Sequence, residues 1–219
     1  MTLAVQDLLD APDLPLKLDA ARKMLDFEAK QRLGFRDQIL PHQKGEFING
    51  RAVMHSPARH SHNHCSSLIT RLLGSHISHA GAGGVLVYEK ALCAFSRNDY
   101  EPDVAWFSPE KAAAIEPHTM IYPVPDFIIE ILSPSTEAHD RGLKRDDYAA
   151  HHVGEYWIVE PDTRTVEQHV LPSGADAYPA PVLVTGGEIH PASFPDLVIP
   201  HAALFDEAAN LAFLRTLLA

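Results

Sequence analysis

The sequence predicts an α+β domain, a central β-sheet with helices packed against it. Short apolar or alternating runs ("GEFINGRAVM", "GGVLVYE", "ALCAFS", "PDVAWF", "FIIEIL") are separated by turn residues, as strands would be. Stretches of helical periodicity fall between and around these runs rather than forming one block. The chain has 219 residues, of which 46% are hydrophobic and 21% charged, enough for one domain with a real core.

Residues 14 to 33, "LPLKLDAARKMLDFEAKQRL", place Leu18, Ala21, Leu25 and Glu28 at helical spacing. In "GEFINGRAVM" the pair Asn49-Gly50 stands between short alternating runs, a strong hairpin signal. Residues 64 to 78 form the next expected helix, with Leu68, Leu72, Leu73 and Ile77 on one stripe. Three strand-like segments follow, then a short helix near 109 to 115, then a strand over 124 to 132. "SPST" turns the chain into a helix from about Asp140 to Val153, with Gly154 expected as its stop. "EYWIVE" and "TVEQHVL" form a hairpin across "PDTR", and the tail ends in an amphipathic helix.

No stretch approaches the roughly 18 consecutive apolar residues of a membrane span. The start, "MTLAVQDLLDAPD", lacks the basic and apolar regions of a secretion signal. The two cysteines, Cys65 and Cys93, form no CxxC and fit a reducing, cytoplasmic setting. A net charge of -11 weighs against broad nonspecific binding to a nucleic acid backbone, which needs a local basic patch or a bound cation.

Chemistry is concentrated around Glu130. The run Phe127, Ile128, Ile129, Glu130, Ile131, Leu132 is too short for a stable helix and rich in β-branched residues, so it is a covered strand. An unpaired carboxylate inside it would cost on the order of several kcal/mol. Glu130 is therefore paired, protonated, metal-bound, or placed where the strand opens into a cleft. Asp103 begins another strand, and Lys144 lies on the helix after Glu130. Two carboxylates from neighbouring strands suit a hard cation such as Mg²⁺, while a nearby lysine can orient water and balance charge on a phosphate oxygen. The same three residues would also serve as a purely structural ion network.

Asp140, Lys144, Tyr148 and His152 recur every four residues and share one helical face. Asp126, four residues before Glu130, is on the order of 13 Å away along an extended strand and belongs to the strand start. "RHSHNHCSS" holds His60, His62 and His64 at alternate positions. Extended backbone would put all three on one face, whereas a helix pairs only His60 with His64; with no cysteine or carboxylate motif to complete it, a histidine-held metal is the weaker reading. His151 and His152 are expected partners of the helix dipole.

The block "PDFIIEILSPST…D…LKRDDYA…EYWIVEPDTRTVE" closely resembles the Uma family of restriction endonucleases, a branch of the PD-(D/E)XK nuclease superfamily. "GEFINGRAVMHSP", "YEPDVAWF" and "FPDLVIPHAALF" extend the resemblance over roughly residues 45 to 206. It implies a restriction-endonuclease-like mixed β-sheet flanked by helices, with residues 1–40 a helical extension and 41–219 the nuclease domain. It further implies a phosphodiesterase acting on nucleic acid, DNA foremost, with Mg²⁺ or Mn²⁺ held by Asp103, Glu130 and the backbone carbonyl of Ile131.

Lys144 would complete that site, because Leu132 occupies the usual lysine position and such family members carry the lysine on the following helix. Tyr148, Glu46 in the first hairpin strand, and His64 before the helix are second-tier candidates. A homodimer is expected by analogy with nucleases that cut both strands. The rival reading is a nuclease fold without catalysis, kept to bind DNA or protein.

Overall fold

The computed structural model describes residues 3–40, 42–134 and 136–219. Ser135 of the "SPST" turn and Pro41, at the expected domain boundary, lie outside the described residues. The chain divides into two compact units, Met1–His55 with Ser96–Asp99, and Ser56–Phe95 with Tyr100–Ala219.

In the first unit, α1 (Leu3–Leu9) and α2 (Leu14–Gln38) precede a hairpin of β1 (Gly45–Ile48) and β2 (Arg51–Met54). Both turn residues, Asn49 (φ 47°) and Gly50 (φ 78°), are left-handed, the geometry an Asn-Gly hairpin needs. A side chain at Gly50 would meet Glu28 at 2.9 Å, so the position is closed to a Cβ on two counts. Glu28 takes a two-pronged salt bridge from Arg97, with both bonds at 2.8 Å. Phe47 opposes Asp99, whose buried carboxylate accepts from Arg36 Nε at 2.8 Å and Nη2 at 2.7 Å and also from Arg32. Burial pushes the Asp99 carboxyl up, but the two guanidiniums outweigh it and hold the group below its ordinary range.

In the second unit, α3 (His60–Ala80) leads to β3 (Val85–Tyr88), β4 (Leu92–Ala94), the short β5 (Asp99–Tyr100) where the chain passes out of the first unit, and β6 (Val104–Phe107). Next come α4 (Pro109–Ala112), β7 (Ile121–Tyr122), β8 (Phe127–Ile131) and a three-part helical segment: α5 (Glu137–His139), a π-turn (Asp140–Lys144) and α6 (Arg145–Ala150). β9 (Glu155–Glu160), β10 (Thr165–Val170), β11 (Val182–Val184), β12 (Glu188–Ile189), β13 (Ile199–Pro200), a 3₁₀ turn and α7 (Glu207–Leu217) finish the chain. Asp206 caps α7, accepting from the Ala209 N–H at 2.8 Å.

The main sheet runs β11-β10-β9-β8-β6-β3 and is mixed, β8 and β9 parallel and the other pairs antiparallel. Strand alternation accounts for the carboxylate in the apolar run. Phe127, Ile129 and Ile131 join Leu72, Leu73, Trp157 and Phe194 in one hydrophobic core. Glu130 falls on the opposite face with Ile128, and the helical segment 137–150 supplies its partners there.

Three boundaries differ from those the sequence predicts. α3 begins at His60 rather than 64. The strand predicted over 124 to 132 is β8, Phe127–Ile131. The helix expected to run to Val153 before Gly154 ends at Ala150, and His152, left-handed at φ 60°, lets the Val153 N–H return to the Tyr148 carbonyl at 3.0 Å.

Candidate functional site

The site is assembled by sheet register. Val104 pairs with Ile129 in the antiparallel β6–β8 ladder, so the next residues along, Asp103 and Glu130, are their chain neighbours at the end of that ladder. Asp103 Oδ2 accepts the Ile131 N–H at 2.8 Å and lies 3.0 Å from His62 Nε2. Glu130 Oε1 accepts from Lys144 Nζ at 3.1 Å and from the Tyr148 hydroxyl at 2.8 Å. Lys144 Nζ also lies 3.2 Å from Asp140 Oδ1 and 5.8 Å from the centre of the Tyr100 ring.

The groups are buried, with Asp103 and Glu130 each 4% exposed, Lys144 2% and Asp140 1%. Rings lock them in place. Tyr148 packs edge-on against Tyr100 and Tyr156, and the Tyr100 hydroxyl bonds Asp147 at 2.7 Å. Burial, then the charges of Asp140 and Glu130, push the Tyr156 phenol well above its ordinary value, with Lys144 opposing them. Burial and the charge of Asp103 push the Cys65 thiol up to about 12, so this cysteine is an inert packing group.

Several expected residues converge and others do not. Glu130, Lys144 and Tyr148 come together, and Asp103 meets the next residue of β8 through the Ile131 N–H. Ile131 contributes its N–H to Asp103, a role distinct from that of its carbonyl. Glu46 lies in the first unit, buried, with His55 Nε2 3.1 Å from its carboxylate. His64 is not the histidine at Asp103. Because α3 already includes His60, His62 turns inward to Asp103, while His64 stacks on His60 with ring centres 5.8 Å apart.

The three histidines thus do not share a face. Among the described residues no group of three or more His, Cys, Asp or Glu side chains could hold a metal ion. Asp126 instead caps the loop after β6, accepting the Ser108 N–H at 2.8 Å and pairing with Lys111 at 2.8 Å. His151 sits 2.8 Å from the Asp147 carbonyl near the helix end. His62 was hidden in the sequence by the alternating histidines, whereas Asp140 stood on the Lys144 face as an ordinary i,i+4 partner.

Carboxylates such as those of Asp103 and Glu130 are the donor type of hard divalent ions, which keep most of their waters, and not of soft ions that need three side-chain ligands. A cavity of about 100 Å³ is lined by His62, the partner of Asp103, with Arg59, Leu132, Ser133 and Glu137.

A mixed sheet flanked by helices is a restriction-endonuclease-like arrangement. The sequence model of the Uma2 family, described as "Putative restriction endonuclease", matches residues 35–202, and the chain belongs to that family. The fold is similar to the crystal structure of a "putative nuclease belonging to DUF820" from Anabaena variabilis. The TM-score is 0.67 at 18% identity, covering 80% of this chain and 96% of that one. No sequence among the curated proteins matches this chain. Among the described residues no helix is long and apolar enough to cross a membrane.

Proposed function

We propose that the chain is a hydrolase cutting phosphodiester bonds in nucleic acid, DNA foremost, with Mg²⁺ or Mn²⁺ held by Asp103 and Glu130. The observation that carries this is the placement of Asp103 and Glu130 at the end of the β6–β8 ladder, with the Lys144 ammonium 3.1 Å from Glu130. A divalent ion bound there supplies Lewis acidity toward a phosphoryl oxygen and a more acidic bound water.

The remaining work falls to the chain's own groups. The Ile131 N–H and His62 hold the Asp103 carboxylate in one orientation, and the Tyr148 hydroxyl holds Glu130. Lys144 is the donor that orients the attacking water and offsets charge growing on a phosphate oxygen. The family description and the Anabaena variabilis neighbour support the same chemistry. A homodimer belongs to the proposal, since one such site cuts one strand of a duplex.

The test is cleavage of supercoiled plasmid and labelled single-stranded DNA with Mg²⁺, Mn²⁺ or EDTA, beside Glu130→Ala and Lys144→Ala. Metal-dependent cleavage lost in both variants is expected. Cleavage that survives Glu130→Ala refutes the site. A second reading is favoured by the burial of all three groups and the net charge of -11: a nuclease fold that binds without cutting. Folded wild type with neither cleavage nor metal binding would select it.

A further inference from the structure

Asp140 is more buried than Asp103 and Glu130, at 1% exposure, and it has no part in the chemistry described so far. A carboxylate taken this far out of water needs a counter-charge. Its Oδ1 lies 3.2 Å from Lys144 Nζ without the alignment of a hydrogen bond, so charge rather than geometry joins them. Its place is set independently of that pair. The Tyr156 hydroxyl donates to the Asp140 carbonyl at 3.1 Å, and Asp140 opens the single π-turn between α5 and α6. Such turns are costly and recur at functional sites.

From this geometry we infer that Asp140 is a positioning residue acting through Lys144, an inference that rests on the reading of Lys144 given above. A lone Lys144–Glu130 pair would draw the ammonium fully onto Glu130, neutralising the carboxylate and withdrawing the cation from the reacting phosphate. Asp140 supplies a second attraction at nearly the same distance. The ammonium is shared between two carboxylates, stays charged, and is held at a point from which it can turn to water or phosphate. The Tyr148 hydroxyl assists by donating to Glu130 Oε1 at 2.8 Å.

The experiment is steady-state cleavage at saturating Mn²⁺ by wild type and Asp140→Asn, with thermal melting of both proteins, of Lys144→Met, and of the double variant. Asp140→Asn is expected to lower kcat about tenfold to a hundredfold, the scale of a misplaced catalytic group, with KM for DNA unchanged. In the Lys144→Met background the same substitution should instead restore part of the lost melting temperature, because it removes a buried carboxylate that has lost its counter-charge. Should Asp140→Asn fold too poorly for kinetics, that melting comparison still decides. A wild-type kcat in Asp140→Asn, or an equal loss of melting temperature in both backgrounds, overturns the inference while the nuclease reading stands. A wild type that cleaves nothing overturns the reading and the inference together.

Discussion

Replacing Lys144 by Met keeps the length and most of the volume of the side chain while removing its charge. Two carboxylates, Glu130 at 4% exposure and Asp140 at 1%, are then left buried and facing the same gap without their shared ammonium. Breaking a buried pair by removing one partner costs about 3–5 kcal/mol, because the remaining charge is stranded rather than solvated. For a domain of this size each kcal/mol is worth roughly 2–4 °C, so the melting temperature should fall on the order of 10 °C. The assay is circular dichroism melting in EDTA at low ionic strength. Added Mn²⁺ should then raise the melting temperature of Lys144→Met at least as much as that of wild type, since the ion replaces the missing charge and binding stabilises the folded state. A variant melting within roughly 2 °C of wild type in EDTA, less than one kcal/mol, would refute the claim that these charges depend on Lys144.

The first unit should respond to Asp99→Asn, which strands Arg32 and Arg36; their partial exposure puts the loss near the low end, about 3 kcal/mol. Because the Asp99 carboxyl is held low in the folded state, its contribution is full above its unfolded pKa of about 3.9 and is lost as pH falls through the lower folded value. Melting curves of wild type and variant should therefore differ most near neutrality and converge in strong acid. His62→Ala should lower metal-dependent cleavage about 10–100-fold, as loss of a group orienting a metal ligand does, while His64→Ala cleaves like wild type. His152→Gly should stabilise the protein by about 0.5–1 kcal/mol in denaturant titrations, since the left-handed conformation costs a non-glycine residue about that much. His152→Val should destabilise it.

Much of this was legible because it is local. Asn49-Gly50 specifies its own turn, the β-branched run around Glu130 specifies a strand, and the 140–144–148 spacing puts Asp140, Lys144 and Tyr148 on one face. The start of α3 was not legible. Arg59 caps it without a side-chain bond, so no Ser, Thr or Asp marks the true start, and shifting it to His60 turns His62 rather than His64 inward. The π-turn leaves no pattern, and the left-handed turn after α6 fell on His152 although Gly154 is the better left-handed residue by composition. Nonlocal features were also hidden. Residues 96–99 return to the first unit, and β4 pairs in parallel with β7; neither can be read from periodicity within one segment.

The central claim is that Asp103 and Glu130 hold one divalent cation. The most direct test is anomalous diffraction from crystals of wild type and Glu130→Ala grown with Mn²⁺. The account predicts one peak about 2.1–2.3 Å from an oxygen of each carboxylate in wild type, lost in the variant. Density for Mn²⁺ elsewhere, or none at these carboxylates at saturating concentration, would contradict it.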